Sequence, residues 1–186
     1  MRKQKSMIET VVQTASDTLA NMGQNRMAEH GQQVAENNDL LDDLHSDHGE
    51  LKSMLEALLK SRNAERRTTI FKDFRTLLFS HSHAEATVLY KRLEKHPKSR
   101  PAGLEGDVEH EVAEGLLNQL GRSRTKAADT WTARCTVLKE LLEHHIEEEE
   151  GKIFSQTRKL FSAAERRKLG AQFRSLKDRL AAEASH

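Results

Sequence analysis

The stretch LLFSHSHAEATVLY at residues 77–90 returns in altered form as LLEHHIEEEEGKIF at residues 141–154. Shifted by 64 positions, Leu77, Leu78, His81, Glu85, Leu89 and Tyr90 fall on Leu141, Leu142, His145, Glu149, Ile153 and Phe154. Residues four apart on a helix share a face. Each copy therefore sets a histidine and a glutamate one turn apart inside an apolar stripe. A shift of 62 places His48 on His110, each directly preceded by an acid, Asp47 and Glu109. Two helix hairpins of one pattern imply a pseudo-twofold arrangement.

Outward from the repeat, the chain reads as helix throughout. Leu40, Leu41, Leu44, His48, Leu51, Leu55 and Leu58 form one stripe, which should end near Ser61, with Asn63 capping the next helix. That helix carries Ile70, Phe71, Phe74, Leu77, Leu78, His81, Glu85, Leu89 and Leu93, and a connection bracketed by Pro97 and Pro101 ends it. A third helix is expected through Val108, Val112, Leu116, Leu117 and Leu120, stopping at Gly121. A fourth is expected from about Lys126 through Trp131, Leu138, His145 and Phe154. Ser162 and Glu165 spell a capping box that opens a last helix. Residues 7–22 place Met7, Ile8, Val11, Val12, Ala15, Leu19 and Met22 at helical spacing as well. The expected fold is all-α: an antiparallel up-down-up-down four-helix bundle with additional N-terminal and C-terminal helices. Its divisions are 1–37 as an extension, 38–160 as the bundle, and 161–186 as a helix packing on it.

Composition narrows the classes of function. Thirty basic residues against 29 acidic ones leave no global pull toward nucleic acid or an anionic membrane. No apolar run is long enough for a membrane span or a secretory signal. A single cysteine, Cys135, excludes an internal disulfide and fits a reducing cytoplasm. The basic residues of the last helix, Arg166, Arg167, Lys168, Arg174, Lys177 and Arg179, read as a solvated face. Self-association would run through the N-terminal helix.

The chemistry lies where the stripes turn polar. From His48 to the turn near Ser61 is about 13 residues, or roughly 20 Å at the helical rise. The return to His81 and Glu85 is similar, and the second hairpin passes the same test. His48, His81, Glu85, His110, His145 and Glu149 can thus meet at one height in the core. Burying two carboxylates without compensation costs several kcal/mol each. No lysine or arginine in these stripes is placed to pair them. Cations supply the missing charge, and six ligands exceed one tetrahedral zinc site. They suit two ions joined by the carboxylates, as in di-iron bundles, although imidazole also serves zinc, copper or nickel. Tyr90 reads as packing, since Phe154 is its counterpart. His83 and His144 read as surface residues, and of the Glu147–Glu150 run only Glu149 faces inward.

Asp47-His48, the HxxxE of His81 and Glu85 with Leu89-Tyr90 after it, Glu109-His110, and the HxxxEE of His145 to Glu150 with Ile153-Phe154 after it together resemble the hemerythrin-like, or HHE cation-binding, domain. The resemblance spans about residues 40 to 160. It implies two iron ions with an oxo or hydroxo bridge between them. Glu85 and Glu149 would bridge the ions, His48 and His81 completing one, His110 and His145 the other. An open position would take dioxygen, nitric oxide or peroxide. Glu114 stands where oxygen carriers of the family have a further histidine, and Lys91 and Ser155 replace the family's usual prolines. The expected function is the binding or sensing of a small oxidant or of iron at this centre. The alternatives are a di-iron enzyme acting on peroxide or ferrous iron, and a metal-free interaction module.

Overall fold

The computed structural model describes residues 38–184. The expected extension over 1–37, with its helix at 7–22 and the self-association assigned to it, lies outside the described residues.

Every regular element among the described residues is helical. Helix α1 covers Leu40–Lys60 and opens on a capping box: the Asp39 carboxylate accepts from Leu41 N at 2.9 Å, and Asp42 accepts from Asp39 N. Ser61 ends it, as its reading predicts. Helix α2, Ala64–Glu85, starts on Asn63, whose side chain accepts from Arg66 N at 2.8 Å. It continues through a π-turn, Ala86–Tyr90, into the short α3, Lys91–Leu93. Helix α4, Arg100–Arg122, takes Pro101 into its first turn rather than after a connection. Proline suits that position because the first N–H groups of a helix lack partners anyway. Helix α5, Asp129–Glu148, begins three residues later than expected, then passes through a second π-turn, Glu149–Ile153, into α6, Phe154–Leu160. Ser162 and Glu165 cap α7, Ala163–Ala184, with Ser162 N donating to Glu165 at 2.7 Å.

Helix α1 packs against α2 and α5, while α4 packs against α5 and the first π-turn, and α7 packs on α1 and α2. Two apolar clusters fill the interior. One joins Leu40, Leu44, Leu89, Leu93, Phe154 and Phe173. The other joins Leu51, Leu55, Phe74, Leu117, Trp131 and Leu138. His48 lies between Leu44 and Leu51 along α1, and His81 between Leu78 and Ala84 along α2, so a polar layer separates the two.

Two expected faces are corrected. Val108 and Val112 are 57% and 51% exposed. The inward face of α4 is instead Gly106, His110, Ala113, Leu117 and Leu120. Glycine and alanine carry little hydropathy, so the valines dominated the pattern. The basic face of α7 is not simply solvated either. Arg166 pairs with Asp39 at 2.7 Å, Arg174 with Asp43, and Lys177 with Asp47 at 2.6 Å. These three acids recur every fourth residue from the cap of α1 inward, which puts them on one ridge facing α7.

Candidate metal centre

All six expected ligands are buried, none more than 9% exposed. His48, His81 and Glu85 offer donor atoms within 4.8 Å of one another, and so do Glu85, His110 and His145. Glu85 belongs to both groups. Its Oε2 lies 3.4 Å from His81 Nε2 and 3.7 Å from His110 Nε2. Glu149 Oε2 lies 3.2 Å from His48 Nε2 and 3.5 Å from His145 Nε2. Each carboxylate oxygen therefore sits between one histidine of each hairpin.

The outer nitrogens of three histidines are held by acids. His81 Nδ1 donates to Asp47 at 3.0 Å, His145 Nδ1 to Glu109 at 2.6 Å, and His48 Nδ1 to Glu150 at 2.9 Å. Such a bond fixes the ring and leaves Nε2 free to ligate. Glu150 also holds His45 at 2.9 Å, so this acid serves the site and is not part of a solvated run. Asp47 and Glu109 stood in the sequence as the acids before His48 and His110. They serve the histidine of the neighbouring helix, which only packing could reveal.

Tyr90 corrects its packing reading. It is fully buried, donates its hydroxyl to Glu149 Oε1, and reaches within 3.5 Å of His145 Nε2. Its ring stacks on His110 at 5.3 Å. In a regular helix Tyr90 would point about 140° away from Glu85, five residues earlier. The π-turn adds a residue to the turn and swings Tyr90 back toward the layer.

Burial and mutual charge divide the six. Glu85 is held well above the carboxylate range by burial and by Glu149 beside it. Burial acts on Glu149 in the same sense, but His145 and His48 outweigh it and hold this carboxyl low. Burial would lower His145, yet Glu149, Glu109 and Glu85 raise it to about 9. His110 falls well below its ordinary value through burial and the nearby His145. Burial and these neighbours thus favour a proton on Glu85 and on His145.

The donor set fits cations. His48 Nε2, both Glu85 oxygens and Glu149 Oε2 are buried without a hydrogen bond. Such atoms are costly unless an ion or water completes them. Among the described residues, no lysine or arginine pairs with Glu85 or Glu149. The family model for the hemerythrin HHE cation binding domain matches residues 39–157.

The chain belongs to this family. Comparison with curated proteins and with solved structures finds no match. Cation binding is the chemistry the hemerythrin HHE domain and these His/Glu groups have in common. Glu114, at the position of the further histidine in oxygen-carrying hemerythrins, stands apart from both groups. Its side chain is 45% exposed and lies 3.8 Å from His83 Nε2. Both residues border a cavity of about 230 Å³, lined also by Leu78, Phe79, Ala86 and Leu117, that reaches His110. No helix among the described residues is long and apolar enough to cross a membrane.

Proposed function

We propose that this protein is a non-haem di-iron protein that binds or senses a small oxidant, dioxygen, nitric oxide or peroxide, at a buried His/Glu centre. His48 and His81 would hold one metal ion and His110 and His145 the other, with Glu85 and Glu149 within reach of both groups. The observation that carries the reading is the pairing of two donor groups through one shared carboxylate, Glu85, in a layer without a balancing lysine or arginine. Four imidazoles against two carboxylates supply less negative charge than a glutamate-rich site, which favours the reduced state of a redox metal. Two bound irons would supply an open coordination position and reversible electron transfer.

The chain's own residues prepare the place. Asp47, Glu109 and Glu150 fix the histidine rings, and Tyr90 holds Glu149 in one rotamer. Leu44, Leu51, Leu89 and Leu117, all nearly inaccessible, keep bulk water from either side of the layer. The cavity beside His110 is large enough for a diatomic molecule or peroxide, and its largely apolar inner wall suits a neutral ligand. The reading carries with it an antiparallel up-down-up-down bundle over 38–160, residues 161–186 as an added helix, and a cytoplasmic setting.

Anaerobic loading with ferrous iron, metal counting, and absorption before and after air test this. The expected result is about two irons per chain and new near-ultraviolet bands on exposure to air. His81→Ala should lose at least one of them. A His81→Ala variant that kept both irons would sink the ligand assignment.

A further inference from the structure

Glu109, His144 and Glu148 form a third donor group, with ligand atoms within 4.8 Å of one another. Glu109 comes from α4, and His144 and Glu148 lie one turn apart on α5. His144 is exposed and the two glutamates are half-buried. Two acids and a histidine on a surface would mean little alone. What lies beneath them gives the group a use.

A cleft of about 10 Å³ has Glu105, Glu109, Glu148 and Lys152 among its lining and reaches His145 and Glu149. That volume is about one water-sized body, which admits a small ion but no organic molecule. Glu149 at its inner end is 1% exposed and its Oε2 accepts no hydrogen bond. Glu109 belongs to the outer group and also bonds His145 Nδ1 at 2.6 Å, so it touches both the surface and the centre. Four carboxylates line the cleft against one lysine, Lys152, whose Nζ lies 3.9 Å from Glu148. A cleft in which carboxylates outnumber Lys152 and His145 two to one concentrates cations at its mouth. The cavity on the other side, at His110, also carries acids, Asp107, Glu111 and Glu114 against Lys91, but at about 230 Å³ it is far wider than one ion and has Leu78, Phe79 and Leu117 in its wall.

We infer that Glu109, His144 and Glu148 form an acquisition site for a divalent cation such as ferrous iron, and that the cleft passes the ion to the buried centre. The cation binds on the two carboxylates and the His144 imidazole, displacing Lys152 from Glu148. The inference rests on the proposed function for its destination alone.

The test uses the full chain freed of metal by chelation and loaded anaerobically with ferrous iron or cobalt(II). The parent protein should bind a third, chelator-accessible ion besides the two that resist brief chelation. His144→Ala combined with Glu148→Gln should lose that third ion and fill the buried pair about tenfold or more slowly, while reaching the same final count of two. Glu114→Gln, on the His110 side, should load at the parent rate. Equal loading rates and equal weak-site occupancy in parent and double variant would overturn the inference. A parent protein that filled no buried site would instead overturn the di-iron reading, and the surface ion could still be counted.

Discussion

Tyr90 and Phe154 hold equivalent places in the two halves, yet only one carries a hydroxyl. Phe154 stacks on His48 at 6.2 Å, as Tyr90 stacks on His110. The partner positions differ to match: Leu44 stands in one half where Gly106 stands in the other. A Cβ on Gly106 would come within 2.6 Å of the Tyr90 ring. This glycine is therefore a notch that seats the phenol against Glu149. Two substitutions separate the phenol's hydrogen bond from its bulk. Tyr90→Phe should weaken metal binding about tenfold, the usual effect of losing a group that orients a ligand. Gly106→Ala, which drives the ring off its seat, should weaken it at least as much. Chelator competition on the loaded protein measures both, and unchanged affinity in Tyr90→Phe would show that the phenol does not position Glu149.

Both π-turns begin at or just after a candidate ligand glutamate, Glu85 in one hairpin and Glu149 in the other. They aim Tyr90 and Phe154 at His110 and His48. Helix α7 adds a second layer of control. Lys177 holds Asp47, which in turn holds His81, and Phe173 meets the His81 ring edge-on at 5.8 Å. The approach of α7 depends on Gly170. A Cβ there would meet Leu40 N at 2.9 Å and the Asp39 carbonyl carbon at 3.1 Å, both rigid backbone atoms. Gly170→Ala should therefore push α7 outward and cost about 1–3 kcal/mol in denaturant unfolding. A variant as stable as the parent would mean that α7 contributes no close packing on α1.

Taken as a whole, the metal-free fold keeps its charge layer tolerable with protons, so its stability depends on pH. Against burial, the carboxylates of Glu149, Glu109 and Glu85 push His145 up to about 9 from an ordinary 6.5. Its raised value stabilises the fold fully below 6.5, and that contribution fades as pH rises through about 9. Glu85, also raised, acts in the same sense. Glu149, held low, loses its contribution only as the pH falls into the acid range. The chelator-treated protein should therefore melt at a lower temperature at pH 9.5 than at pH 7. The metal-loaded protein should change little, because cations replace those protons. A metal-free protein equally stable at both would contradict the protonation of His145. Away from the layer, Arg67 secures the other end of the bundle, donating to the Leu58 and Lys126 carbonyls at 3.1 and 2.7 Å while lying over the Trp131 ring.

The sequence by itself determined the helical class, the caps at Asn63 and Ser162, the family, and the six residues drawn into one layer. Each follows from short-range spacing, because residues four apart must share a face and the repeat supplies that spacing twice. It misjudged Val108 and Val112, because helical periodicity ranks faces by hydropathy while packing ranks them by fit. Only the tertiary structure decided that Tyr90 faces Glu149, since a π-turn breaks the 3.6-residue period from which its direction was read. The same holds for Asp47 and Glu109 serving histidines on other helices, and for Lys177 reaching across from α7. Those pairings depend on the distance between helices, which no spacing along one helix encodes.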